Sequence, residues 1–134
     1  MRNFLELICI SIIISGLAFI ALAQPCLTGW QYRKTIEMNN TGVSLTSHQV
    51  SVVVNTQVLV ALGKVRVDGG DIRFTDASGN SISFWYDASE FNTSTTTSLI
   101  KTNDSAGLSD IYLFYGNVTS LIVDRGDGTF GLLV

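Results

Sequence analysis

Apolar and polar side chains alternate in short runs along most of the chain, and clusters of Gly, Asn, Asp, Ser and Thr separate the runs. From Trp30 to Glu37, the residues Trp30, Tyr32, Lys34 and Ile36 fall on one side and Gln31, Arg33, Thr35 and Glu37 on the other, which is the two-residue period of a strand. Asn39-Asn40-Thr41-Gly42 ends that run with turn-forming residues. Gln49 to Asn55 is β-branched and apolar, as in a strand buried on both faces. Val58 to Leu62 fits either a short strand or one or two helical turns. Asp71–Thr75 and Ser81–Tyr86 flank Asp76-Ala77-Ser78-Gly79-Asn80 and predict a hairpin. Further strands are predicted at 98–102 and 110–115, with short runs at 120–123 and 129–134. The polar stretch from Asn92 to Thr97 reads as a link. Many short strands near ten residues apart, with almost no helical period after the start, predict an all-β fold: an antiparallel β-sandwich, jelly-roll-like.

The first residues follow a different pattern. Arg2 precedes a mostly apolar run from Phe4 to Leu22, and Ala21-Leu22-Ala23 places small residues where signal peptidase reads them. The expectation is an N-terminal hydrophobic signal helix over residues 1–23, removed on export, and a single β-sandwich domain over 24–134. Retention as an anchor is the rival, since the run approaches the roughly 20 residues that span a bilayer. Either way the domain is extracytoplasmic, secreted or at the cell surface.

Charge and composition narrow the partners. The chain carries 8 Lys/Arg against 11 Asp/Glu, a net charge of −3, and this mild acidity without a basic cluster argues against nucleic acid. Membrane contact is expected only if the leader is retained. Cys9 departs with the leader, so Cys26 is expected to be a lone thiol with no disulfide inside the mature chain. With His48 the single histidine, neither a zinc site nor a Cys/His nucleophile pair is expected, and no cofactor is called for. Asp87 and Glu90 are the nearest thing to paired carboxylates, and no nucleophile motif accompanies them; the chain does not read as an enzyme.

The blocks Gly29-Trp30-x-Tyr32-Arg33-Lys34, Asp68-Gly69-x-Asp71-Ile72-Arg73-Phe74-x-Asp76, Phe84-Trp85-Tyr86, Lys101 and Ile111-Tyr112-x-x-Tyr115-Gly116-Asn117 occur in this order. With a fainter echo in Gly128-Thr129-Phe130, they resemble a "domain of unknown function" β-sandwich family of secreted and surface proteins of archaea and bacteria. In that family the module often stands upstream of a concanavalin-like lectin domain. The chain departs from it at Leu99-Ile100, where the family carries a Trp beside Val before its lysine.

Exposed aromatic rings on a β surface cover the apolar face of a sugar, and adjacent polar groups satisfy its hydroxyls. Trp30, Trp85, Tyr86 and Tyr112 are the candidates, with core packing as the alternative for each. Alternation favours Trp85 for exposure, because Phe84 and Tyr86 take the other face. Arg73 and Asp71 form either a polar binding cluster or a structural pair, in which Arg73 grips a carboxylate such as Asp71 or Asp76. Asp76-x-Ser78-x-Asn80 begins like a calcium loop but is also ordinary hairpin chemistry, and no metal is assigned. Arg125-Gly126-Asp127 is an adhesive-type tripeptide that a plain turn explains as well. Asn39, Asn92, Asn103 and Asn117 each start an N-x-Ser/Thr sequon in an expected turn or link and could carry glycan in a suitable host.

Two functional readings follow. One is a non-catalytic surface module that binds extracellular glycan or envelope proteins. The other is a structural subunit that self-assembles by strand addition through Thr129–Val134.

Overall fold

The computed structural model describes residues 26–121 and the backbone of Glu6–Ile8. Its strands are β1 (Glu6–Ile8), β2 (Tyr32–Asn40), β3 (Leu45–Val54), β4 (Ile72–Asp76), β5 (Ser81–Tyr86), β6 (Thr96–Asp104) and β7 (Gly107–Tyr115); α1 (Thr56–Ala61) lies between β3 and β4. The order is β1-β2-β7-β4-β5-β6-β3, and every neighbouring pair is antiparallel. The all-β antiparallel fold is therefore what the chain adopts. The two layers of a sandwich belong here to one sheet of six strands, β2 to β7, that curls into a half-barrel.

The curl is made at β5. Ile82 pairs with Phe74 of β4, whereas Ser83 to Tyr86 pair with Lys101 to Ser98 of β6, so β5 leaves one half of the sheet and joins the other. The concave side holds the core. Phe74, Ile100, Ile111, Leu113 and Tyr115 are at most 1% exposed, and removing each such side chain from water contributes about 1.5–3 kcal/mol. On β7 the odd positions Ile111, Leu113 and Tyr115 face this core; Tyr112 and Phe114 take the opposite face by alternation.

Two connections are fixed by chemistry that composition conceals. The segment 56–61 is helical, and the Asn55 side chain caps it by accepting from the Val58 backbone N–H at 3.1 Å. The Asn92–Thr97 stretch is an ordered knot rather than a polar link. The hydroxyls of Thr56 and Thr96 bond at 2.6 Å, and the Thr56 hydroxyl also accepts from the Asn92 N–H at 3.0 Å. The Thr96 hydroxyl reaches the Glu90 carbonyl at 3.0 Å. Both threonines are 1% exposed, so these bonds are protected from water.

Two expectations are corrected. Cys26 is disulfide-bonded, and there is no free cysteine among the described residues; the chain's other cysteine is Cys9, outside them. Of the four sequon asparagines, Asn39 and Asn103 stand within β2 and β6 rather than in turns. The leader expected over 1–23 lies outside the described residues apart from Glu6–Ile8, which are extended against Tyr32–Lys34. The runs at 122–123 and 129–134 and the Arg125-Gly126-Asp127 tripeptide also lie outside them. No described helix is long and apolar enough to cross a membrane.

Candidate functional site

The convex face of β5, β6 and β3 presents Trp85. Trp85 lies directly opposite Leu99, and Leu99 opposite Ser51; the adjacent row is Ser83, Lys101 and Gln49. Neighbouring strands stand about 4.8 Å apart, so each row runs roughly 10 Å across the sheet. Trp85 and Leu99 are half-buried, and Ser51, Ser83 and Lys101 are exposed. The arrangement is an apolar shelf with hydroxyl, amide and ammonium groups one row away. At the end of this face a cleft of about 170 Å³ is lined by Ser47, Asp76, Ser81, Lys101, Thr102 and Asn103; Lys101 belongs to both shelf and cleft.

Asp76 shapes that cleft. One carboxylate oxygen accepts from the backbone N–H groups of Ser78 and Asn80, each at 2.9 Å, and the other from the Asn80 amide at 2.8 Å. Slight burial works against the charge, but these bonds outweigh it and hold the carboxyl below its ordinary range. With its lone pairs committed inside the hairpin, the loop is a turn. No cluster of metal-ligating side chains occurs among the described residues.

The remaining candidates are placed elsewhere. Tyr86 is 2% exposed and in the core, its hydroxyl 3.3 Å from the Asp68 carbonyl. Asp71 is buried; it accepts from the Arg66 N–H at 2.8 Å and from backbone N–H groups of Asp71 and Gly116. Burial nonetheless pushes its carboxyl above the ordinary range. Among the described residues Arg73 grips no carboxylate: it donates to the carbonyls of Gly70, Ile72 and Leu121 at 3.0, 2.6 and 2.7 Å. Its guanidinium lies 5.1 Å from the Trp30 ring centre.

Trp30 and Arg73 are part of a second cluster, on the outer face of β2, β7 and β4. Register places Arg33, Phe114 and Arg73 in one row and Thr35, Tyr112 and Thr75 in the next. The blocks around Trp30, Arg73 and Tyr112 converge here, a gathering that the strand order β2-β7-β4 brings about.

Asn92 and Asn103 are exposed. Asn92 holds a positive φ of 61°, and the Asn103 side-chain oxygen accepts from the Ser47 N–H at 3.0 Å. Asn39 is exposed, and Asn117 is half-buried with its oxygen accepting from the N–H and hydroxyl of Thr119.

Fold and face together define a small antiparallel β domain with an aromatic shelf. Residues 68–133 match the family described as "Domain of unknown function (DUF2341)", so this part of the chain is similar to that family. The match takes in the blocks from Asp68 onward; the block around Trp30 precedes it. No curated protein and no solved structure matches the chain.

Proposed function

We propose that the protein is an exported, non-catalytic module of the cell surface that binds extracellular glycan or another envelope component on the convex face of β5, β6 and β3. The observation that carries this reading is Trp85 set beside Leu99, with Ser51, Ser83, Gln49 and Lys101 in register around them. An indole on a flat sheet offers a sugar ring stacking area at low entropic cost, and the adjacent polar row answers its hydroxyls. Lys101 also gives the face a preference for acidic sugars. Screening the exported chain against immobilised glycans, with Trp85→Ala alongside, tests the reading; equal capture of both proteins, or of neither, overturns it.

A second reading, assembly by strand addition, draws on β3. It lies at the end of the sheet, ten residues long, with no Lys, Arg, Asp, Glu or Pro, and Val53 is 61% exposed. Natural sheets usually guard such an edge with charge or proline. Concentration-dependent polymers of the exported chain would favour this reading over the first.

A further inference from the structure

Four side chains on the outer face of β2, β7 and β4 are buried although they point away from the core. Arg33, Thr75 and Phe114 are each 1% exposed and Tyr112 7%, and Tyr112 and Phe114 are absent from the core cluster. The chain arrives at this face at its last described residues. Arg73 donates to the Leu121 carbonyl and Arg66 to the Ser120 carbonyl, both at 2.7 Å, and the Ser120 hydroxyl donates to the Gly70 carbonyl at 2.9 Å. Leu121, the last described residue, is therefore held at Arg73, in the row of Phe114 and Arg33.

We propose that this face is the docking surface for the chain's own segment 122–134. The composition of the segment fits it. Phe130, Leu132, Leu133 and Val134 supply apolar surface for Tyr112 and Phe114, while Asp124 and Asp127 supply carboxylates to a face carrying two arginines. Reach is ample: thirteen residues extend up to about 40 Å, and the three strands are crossed in roughly 10 Å. Tethering at Leu121 raises the local concentration of the segment to about the millimolar range, which favours it over an untethered competitor. The family match that covers β4 to β7 runs on to residue 133, so all but the last residue of the segment falls within the same matched stretch. The indole N–H of Trp30, buried with no hydrogen-bond partner among the described residues, awaits an acceptor that a carbonyl or carboxylate of the segment can provide. On this account the signature residues Trp30, Arg33, Arg73, Tyr112 and Phe114 form a clasp for the end of the domain, and ligand is left to the Trp85 face.

The test uses the exported chain, its N-terminus read by mass spectrometry, in a Trp85→Phe background that leaves Trp30 as the one indole. Acrylamide quenching of Trp30 is compared with that of Phe130→Ser and Leu132→Ser versions and of a milder Asp124→Asn, Asp127→Asn pair. The expected result is weak quenching that rises towards that of a free indole in the serine variants, at every protein concentration, with a smaller rise in the asparagine pair. Thermal unfolding monitors the fold, and the asparagine pair keeps the test decisive if a serine variant fails to fold. Quenching that ignores all these changes overturns the proposal. So does quenching that responds only to loss of residues 1–23, which makes the leader the cover, or only to dilution, which makes a second copy the cover.

Discussion

The guanidinium of Arg33 lies 4.6 Å from the ring centre of Tyr112, on the side of the sheet that faces away from the core. A cation over a ring in a water-poor setting contributes about 2 kcal/mol, and the Arg33 stem adds packing. Arg33→Ala should therefore lower unfolding free energy by about 2 kcal/mol or more, read by chemical denaturation. Tyr112→Phe keeps the ring and should stay close to the parent, whereas Tyr112→Leu should lose most of what Arg33→Ala loses. Equal losses for the Phe and Leu variants would show that the ring is not what holds Arg33.

Gly69 has φ of 64°, and a Cβ there would collide with the Tyr86 hydroxyl and come within 2.9 Å of the Phe91 ring. Gly69→Ala combines a left-handed backbone with overpacking and should destabilise by about 1–3 kcal/mol or more. Tyr86→Phe removes the colliding oxygen and should recover part of the loss when combined with Gly69→Ala. Additive losses in the double variant would contradict the clash.

The paired hydroxyls of Thr56 and Thr96 give an asymmetric expectation. Replacing either with Val strands a buried polar partner and should cost about 1–3 kcal/mol, while replacing both should cost less than the sum of the two. A thermal-melt cycle over the four proteins reads the coupling.

Acid should act on two aspartates in opposite directions. Asp76 is held below the ordinary value of 3.8, so its contribution is complete above that value and is lost as pH falls from there through its folded value. Asp71 is held above 3.8; the folded protein takes up this proton more readily, so stability from this group rises as pH falls from its folded value towards 3.8. Asp76→Asn should flatten the loss of stability below pH 3.8, read as melting temperature against pH. An unchanged slope would separate the hairpin carboxylate from acid stability.

Much of the fold is legible in the residues. The alternation around Phe84-Trp85-Tyr86 places Tyr86 inward and Trp85 outward, and the Asp76–Asn80 cluster marks its hairpin, because both are local effects of pleat and turn chemistry. The bend at Ile82 and Ser83 is not legible, since it depends on β5 changing partners between β4 and β6. The Thr56–Thr96 bond joins residues 40 apart in sequence, which turns a stretch of polar composition into a buried knot. Charge pairing in the sequence suggests a carboxylate for Arg73; the backbone of Gly70 and Ile72 and the chain's return at Leu121 offer it carbonyls instead. Trp85 could be picked out by alternation, whereas its companions Leu99, Ser51, Ser83 and Lys101 are assembled by cross-strand register, which one sequence does not state.

The central claim is that the Trp85 face holds a sugar, and the most direct measurement is glycan-array capture of the exported chain beside Trp85→Ala and Lys101→Ala. Ring stacking contributes about 0.5–1.5 kcal/mol beyond the area it buries and a hydrogen bond to a charged group about 1.5–3 kcal/mol, so the account predicts selective capture that falls about tenfold or more in Trp85→Ala, with Lys101→Ala weakening acidic glycans in particular. Capture by the parent that neither substitution changes, or no capture by a correctly folded parent, would contradict it.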